Sequence, residues 1–183
     1  MKNLLVLGLF TVSILSCKKE ETRQIQQYTI EQFYANTRFG GGFFSNDETK
    51  LLINSDESGI YNVYEINIAD NTRRPLTTSA KESFFAVDYV PGSNSLIYNA
   101  DKGGNEISHL YLLDETGKST DLTPGENEKA DFMKWSADYK TMFYTSNKRD
   151  PKFFDVYKTK IGEWTPTLVY ENKEGLDLAD LSY

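Results

Sequence analysis

A hydrolytic triad needs a nucleophile, a histidine to take its proton and an acid to orient the ring. This sequence holds a single histidine, His109. No Gly-x-Ser-x-Gly elbow accompanies it, so no serine is set on the strained turn that would expose a nucleophile. His109 heads a strand-like segment and reads as a structural residue on a strand flank. Oxygen ligands gather in Asp101-Lys102-Gly103-Gly104-Asn105-Glu106, without the alternating spacing and terminal glutamate of a calcium loop. That stretch reads as a hairpin turn, and Asn147-Lys148-Arg149-Asp150-Pro151 reads as the corresponding turn further on. Gly40-Gly41-Gly42 is followed by no Gly-Lys-Ser/Thr and lies in a strand-like context, Arg38 to Phe44. Close backbone packing near a ring axis suits it better than a phosphate cradle. Trp135 and Trp164 are candidate binding aromatics, and Trp135 falls where a core residue belongs. The sequence thus offers no catalytic, cofactor-binding or metal-binding residue; the one side chain with an expected chemical fate is Cys17, a lipidation candidate.

The elements that carry these residues recur. Phe132 to Asn147 reads as a strand, a tight turn built on Ser136 and Asp138, and a second strand, because short polar side chains can accept from backbone amides further on. The same design stands at Phe43 to Ser55, where Asp47 precedes Asp138 by 91 residues. A middle copy, Leu96 to Asp101, follows Leu51 to Asp56 by 45. Leu76-Thr77 recurs as Leu122-Thr123, Tyr111 as Tyr157 and Ser136 as Ser182, each 46 residues on. Every unit carries four short strand signals separated by turn sequences such as Pro91-Gly92, Lys102-Gly103-Gly104-Asn105 and Glu115-Thr116-Gly117. Pro75 falls in a fourth strand, where a missing amide is tolerable only at a sheet edge. Four antiparallel strands per 40–50 residues is the pattern of a β-propeller blade.

The predicted fold is therefore all-β: an incomplete propeller with blades at about 37–80, 83–125 and 130–171, and the first strand of a fourth at 176–183. Three blades and a fragment cannot close a ring, so the chain is expected to be the N-terminal part of a longer protein. Its last full blade should present an unpartnered face, lined by residues such as Met142 and Tyr144. Ahead of the propeller, Thr29-Ile30-Glu31-Gln32 has the form of a capping box and predicts one or two helical turns ending near Asn36. Residues 17–36 are a tether with this short helix. The 12 tyrosines and 11 phenylalanines favour strands. The net charge of −7 suits solubility and argues against a nucleic-acid partner, since phosphate binding draws on clustered Lys and Arg.

Residues 1–16 form a leader. Lys2 supplies a positive start, and Leu4 to Leu15 is an apolar run too short to span a bilayer. The junction Ile14-Leu15-Ser16-Cys17 resembles the lipobox of bacterial lipoproteins. That resemblance implies a protein that begins at Cys17, is held to the membrane by its N-terminal lipid and resides in the cell envelope. The alternative is an ordinary secretory leader. The Lys-Glu-Glu that follows Cys17 also resembles signals that carry some lipoproteins to the cell surface. Cys17 is the only cysteine, so no disulfide can form within the chain.

The Ser-x-Asp turn, Asn62-Val63-Tyr64-Glu65-Ile66 and Arg74-Pro75-Leu76-Thr77 resemble the TolB-like propeller repeat. Tyr28-Thr29-Ile30-Glu31-Gln32-Phe33 leading into Phe43-Phe44-Ser45-Asn46-Asp47, and then Ser58 to Tyr64, is similar to the start of prolyl oligopeptidase-family serine peptidases of the dipeptidyl-peptidase and acylaminoacyl-peptidase type. This resemblance implies a C-terminal α/β-hydrolase domain with a Ser-Asp-His triad, the remaining blades, and short peptides as substrates, with the propeller restricting access. The alternative from another class is a TolB-like envelope propeller that binds protein or glycan partners and has no enzyme domain.

Overall fold

A computed structural model describes residues 25–176 and 178–182; Cys17 and the leader lie outside the described residues. The chain divides into two units at Asn36 and Thr37. In the first, helix α1 (Ile30–Tyr34) carries the expected capping box. The Gln32 amide donates to Thr29 Oγ1 at 3.2 Å, and the Thr29 amide donates to Gln32 Oε1 at 2.9 Å. Two otherwise orphaned donors are thereby satisfied.

The second unit consists of three four-stranded antiparallel sheets. The first comprises β1 (Phe39–Phe44), β2 (Lys50–Ser55), β3 (Asn62–Asn67) and β4 (Arg73–Pro75). The second comprises β5 (Phe84–Tyr89), β6 (Leu96–Ala100), β7 (His109–Leu113) and β8 (Ser119–Asp121). The third comprises β9 (Ala130–Trp135), β10 (Thr141–Asp150), β11 (Phe153–Lys160) and β12 (Thr167–Tyr170). Strand order within each sheet follows chain order, which is the meander of a propeller blade. Pro75 lies on β4, an edge strand, as its missing amide requires.

The hairpins close as the repeat predicts. Ser136 Oγ donates to Asp138 Oδ1 at 2.6 Å and accepts from the Thr141 amide at 3.0 Å. Ser45 and Asp47 repeat this, with Ser45 Oγ donating at 2.7 Å and accepting from the Lys50 amide at 3.0 Å. The second blade has Gly92 in place of the aspartate, and here the first blade supplies the missing side chain. Asn46 Oδ1 accepts from the Gly92 amide at 3.0 Å, while Asn46 Nδ2 donates to Ser93 O at 2.9 Å.

The core lies between the blades. One cluster joins Leu52 and Val63 of the first blade to Tyr89, Leu96 and Tyr98 of the second. Another joins Ile97 and Leu110 of the second to Trp135, Met142, Tyr144 and Tyr157 of the third. Met142 and Tyr144 are therefore not on an open face. They are 0 % and 3 % exposed and pack back onto the second blade. Period-2 alternation gives the opposite side of the third blade to Phe143 and Thr145.

Two further expectations are corrected. The turn placed at Asn147 to Pro151 is mostly strand, because β10 runs on to Asp150 and re-pairs there with Phe153 after an irregularity. Arg149 staples this extension, donating Nε and Nη2 to Asp155 at 2.7 and 2.9 Å. The first strand of a fourth unit is present only as an unladdered segment: residues 178–182 carry no strand assignment, since a first strand takes its ladder from the second strand of its own unit. It lies beside β9 through Lys134, whose Nζ donates to Asp180 Oδ1 and Leu181 O, both at 2.7 Å.

Candidate functional site: inner strands and interblade clasps

The one histidine sits at the head of β7 with its Nδ1 2.7 Å from Asp121 Oδ2 on the neighbouring β8. That is the histidine–acid half of a triad, and the missing half decides its role. The cleft beside the ring, about 180 Å³, is lined by Lys102, Asn105, Ile107, Tyr111, Gly125 and Glu126, with no Ser, Thr or Cys. Proton abstraction needs a partner within about 3 Å of the second ring nitrogen, and no Ser, Thr or Cys hydroxyl or thiol of this lining fills that role among the described residues.

The repeat explains the pair instead. Asn62, His109 and Asp155 stand at the same step of β3, β7 and β11, each next to the residue (Val63, Leu110, Val156) that packs at full burial. Each ties its strand to the end of the blade's last strand or to the segment that leaves it. Asn62 Oδ1 accepts from Thr77 Oγ1 at 2.9 Å and the Ser79 amide at 2.8 Å, and Asn62 Nδ2 donates to Ser79 O at 3.0 Å. Asp155 Oδ1 accepts from the Asn172 amide at 2.8 Å. Hydrogen bonds from Arg149 hold the Asp155 carboxyl below its ordinary range, with the Asn172 amide and the Arg149 charge adding to this against the cost of burial. Different residues meet one requirement, a buried polar group that must be bonded.

The first strands β1, β5 and β9 share a second device. Each is irregular at one residue, Gly42, Val87 or Met133, which the partner strand leaves unopposed. A bulge of this kind re-aims the side chains that follow it. After it come Phe43 and Phe44, Asp88 and Tyr89, and Lys134 and Trp135. In the second and third blades these side chains clasp neighbouring segments. Tyr89 Oη donates to Glu65 Oε2 of the first blade at 3.0 Å. Trp135 Nε1 donates to Asp88 Oδ2 of the second at 3.0 Å. Lys134 Nζ reaches on to Asp180. Burial raises the Asp88 carboxyl above its ordinary value, opposed by the bonds from Trp135 and the Tyr89 amide. Burial, and then the Glu65 charge, raises the Tyr89 phenol. Asp88 on β5, Lys134 on β9 and Asp180 in the segment after the third blade thus form a row at 46-residue intervals, alternating in charge. Such a row can attract or orient a charged chain passing along it.

The other sequence candidates resolve individually. Gly40 and Gly41 are in β1, where a Cβ would meet Asn54 Nδ2 at 2.9 Å and Asn54 Oδ1 at 3.1 Å, so the close approach is to their own blade's second strand. Asp101 to Glu106 forms a turn whose oxygens accept backbone amides: Asp101 Oδ2 from Glu106, and Asn105 Oδ1 from Ile107. Trp135 is core, as its position implies. Trp164 lies against the same core from outside. Cys17 lies outside the described residues. The latch and the charged row escaped sequence reading, although the 46-residue offset that aligns His109 with Asp155 and Asp88 with Lys134 was the signal for both.

Known proteins resemble this arrangement. Residues 11–176 match the family described as the dipeptidyl peptidase IV N-terminal region. A dipeptidyl aminopeptidase BIII of Pseudoxanthomonas mexicana is 30% identical over 131 residues, covering 68% of this chain. The chain spans 19% of that relative's length. Among solved structures, TolB of Acinetobacter baumannii superposes with a TM-score of 0.55 at 19% identity, over 72% of this chain and 32% of its own. A structure from a study of two prolyl endopeptidases superposes with a TM-score of 0.56 at 12% identity, over 75% of this chain and 23% of its own. At these identities the structural likenesses establish a common fold.

Proposed function

Because the chain belongs to the dipeptidyl peptidase IV N-terminal region family, we propose that it is the propeller part of an exported, lipid-anchored serine peptidase of the prolyl oligopeptidase type. The peptidase cleaves short peptides at an α/β-hydrolase domain supplied by the rest of the protein, and the propeller gates and docks them. The observation that carries this reading is the family match across nearly the whole chain, residues 11–176. In this scheme the row of Asp88, Lys134 and Asp180 meets substrates on their way to the triad. It favours slender, flexible chains, because interblade clasps resist the widening that a folded protein would demand. The lipid on Cys17 holds the enzyme at the bacterial envelope.

The test uses the complete reading frame expressed in a bacterial host. The expected result is release of chromophore from blocked or free dipeptidyl substrates, with little attack on folded proteins. Asp88→Ala with Lys134→Ala should change kcat/KM for charged peptides more than for neutral ones. A reading frame that yields only further blades, and captures an envelope protein or glycan without hydrolysis, would replace this reading with a TolB-like binding propeller. The anchor is checked by acyl labelling: wild type should incorporate an alkynyl fatty acid at Cys17, and Cys17→Ser should not. An unmodified N-terminus beyond residue 17 would mean an ordinary secreted protein.

A further inference from the structure

The repeat builds one groove twice. In the second blade it measures about 290 Å³ and is lined by Phe85, Asn99, Glu106 and Ser108, with Lys129 from the segment entering the next blade. In the third blade it measures about 350 Å³ and is lined by Asp131, Thr145, Lys152 and Phe154, each 46 residues after its counterpart. Lys129 lines both grooves. The repeat fixes their place, and the side chains set opposite characters. The second-blade groove holds Asp101 and Glu106. In the third blade Lys152 stands where the second has Glu106, and Asp131 is the one carboxylate among the described lining residues. Neither the Lys129 nor the Lys152 ammonium has a partner among the described residues. Phe154, Leu176 and Leu178 add an apolar wall.

The backbone around the third-blade groove is held by its own bonds. The Lys129 amide donates to Asn147 Oδ1 at 2.6 Å, and the Asn147 amide donates to Lys129 O at 3.2 Å. The Lys152 amide donates to Asp150 Oδ1 at 2.9 Å. Buried Asn172 accepts from the Gly175 amide at 3.0 Å and donates Nδ2 to Leu176 O at 2.8 Å. Walls fixed in advance lower the ordering cost of binding. Two ammonium groups against one carboxylate leave surplus positive charge, in a chain whose net charge is −7. That surplus attracts an anion, and the apolar wall asks that the anion carry apolar surface. Asp131 and Thr145 can hydrogen-bond an amide, which an alkyl chain does not offer. The last residue of a peptide combines all three: a carboxylate, a side chain and an amide N–H.

We propose that the third-blade groove captures the free C-terminus of a short peptide. The carboxylate meets Lys129 and Lys152, and an apolar terminal side chain meets Phe154 and Leu176. Asp101 and Glu106 repel the same carboxylate from the second-blade groove. In the complete protein this is where the tail of a short substrate lodges, a consequence that rests on the peptidase reading; the binding itself does not. The test is calorimetric titration of the full chain at low salt with acetyl-Ala-Ala-Leu, its C-terminal amide, acetyl-Asp-Ala-Leu amide and octanoate. The free acid should bind at least about tenfold more tightly than its amide. Lys129→Gln and Lys152→Gln should each lower affinity about three- to tenfold, and Lys118→Gln, outside the groove, should leave it unchanged. Equal affinity for acid and amide, equal affinity for the internal carboxylate, tighter binding of octanoate, or an equal loss with Lys118→Gln would each overturn the proposal. Hydrolysis by the complete protein without this binding would remove the groove and keep the peptidase reading; binding without hydrolysis would do the reverse.

Discussion

Asn62→Ala isolates the latch that recurs in every blade. Asn62 is fully buried, and its amide makes two bonds to the Ser79 backbone, accepts from Thr77 Oγ1, and donates to Ser58 Oγ at 3.0 Å. A net hydrogen bond contributes about 1 kcal/mol, and a buried group left without a partner costs about 1–3 kcal/mol more. Ser58 can turn to water, whereas Thr77 is itself buried and accepts from the Val63 amide at 2.9 Å. The sum is about 3 kcal/mol for Asn62→Ala, against less than about 1 kcal/mol for Ser58→Ala. For a chain of this size a loss of about 3 kcal/mol lowers Tm by about 6–12 °C. The assay is urea and thermal unfolding of the full chain by far-ultraviolet circular dichroism, with amide exchange at Val63 and Ser79 as the local readout. Both amides should exchange faster in Asn62→Ala than amides of β9 do. A variant within about 0.5 kcal/mol of wild type, with unchanged exchange at Ser79, would refute the latch and return these buried polar residues to mere tolerance.

The buried Asp155 and the half-buried Asp88 should respond to pH with opposite signs. The Asp155 pKa is lowered on folding, so its contribution is complete above the ordinary carboxylate range and is lost as pH falls through the lowered value; Asp155→Asn should destabilise at pH 7 and converge with wild type in acid. The Asp88 pKa is raised on folding, so wild type loses stability as pH rises through that raised value; Asp88→Asn, which can still accept from Trp135, should be the more stable protein at pH 7, and equal stabilities across the range would contradict this. Leu110→Ala opens a void in a fully buried site between the second and third blades and should cost about 3 kcal/mol in the same unfolding assay. Light scattering of the full chain should show oligomers, because Leu168, Val169 and Tyr170 lie 43–46 % exposed on the edge strand β12; a lone monomer at high concentration would count against that edge as a contact surface.

The blades were legible because their signals are local. Ser136 with Asp138 closes a hairpin within five residues, and turn residues at regular spacing mark strand limits whatever the fold around them. Face assignment was not legible at Met142 and Tyr144. Alternation says that neighbouring residues point apart, and only the packed neighbour says which set meets it. The extension of β10 through Lys148 and Arg149 was hidden for another reason: its staple, Arg149 to Asp155, is a tertiary bond that overrides a turn-like composition. The latch of Asn62, His109 and Asp155 shares a position and a task but no side-chain chemistry, so similarity of residue type could not disclose it.

The hydrogen bond that Asn46 lends to the second blade's turn has a kinetic counterpart. Asn46 reaches Val90 across 44 residues, Tyr89 reaches Glu65 across 24, Trp135 reaches Asp88 across 47 and Lys134 reaches Asp180 across 46. Each clasp binds a blade to the one made just before or just after it. The entropy of closing a loop grows only with the logarithm of its length, and these loops do not lengthen as blades are added. Each blade added meets a finished neighbour at nearly constant entropic cost. A chain emerging N-terminus first could therefore fold progressively, with the second blade's turn waiting on Asn46 as its template. Nucleation would belong to the first pair of blades, and propagation to every blade after them.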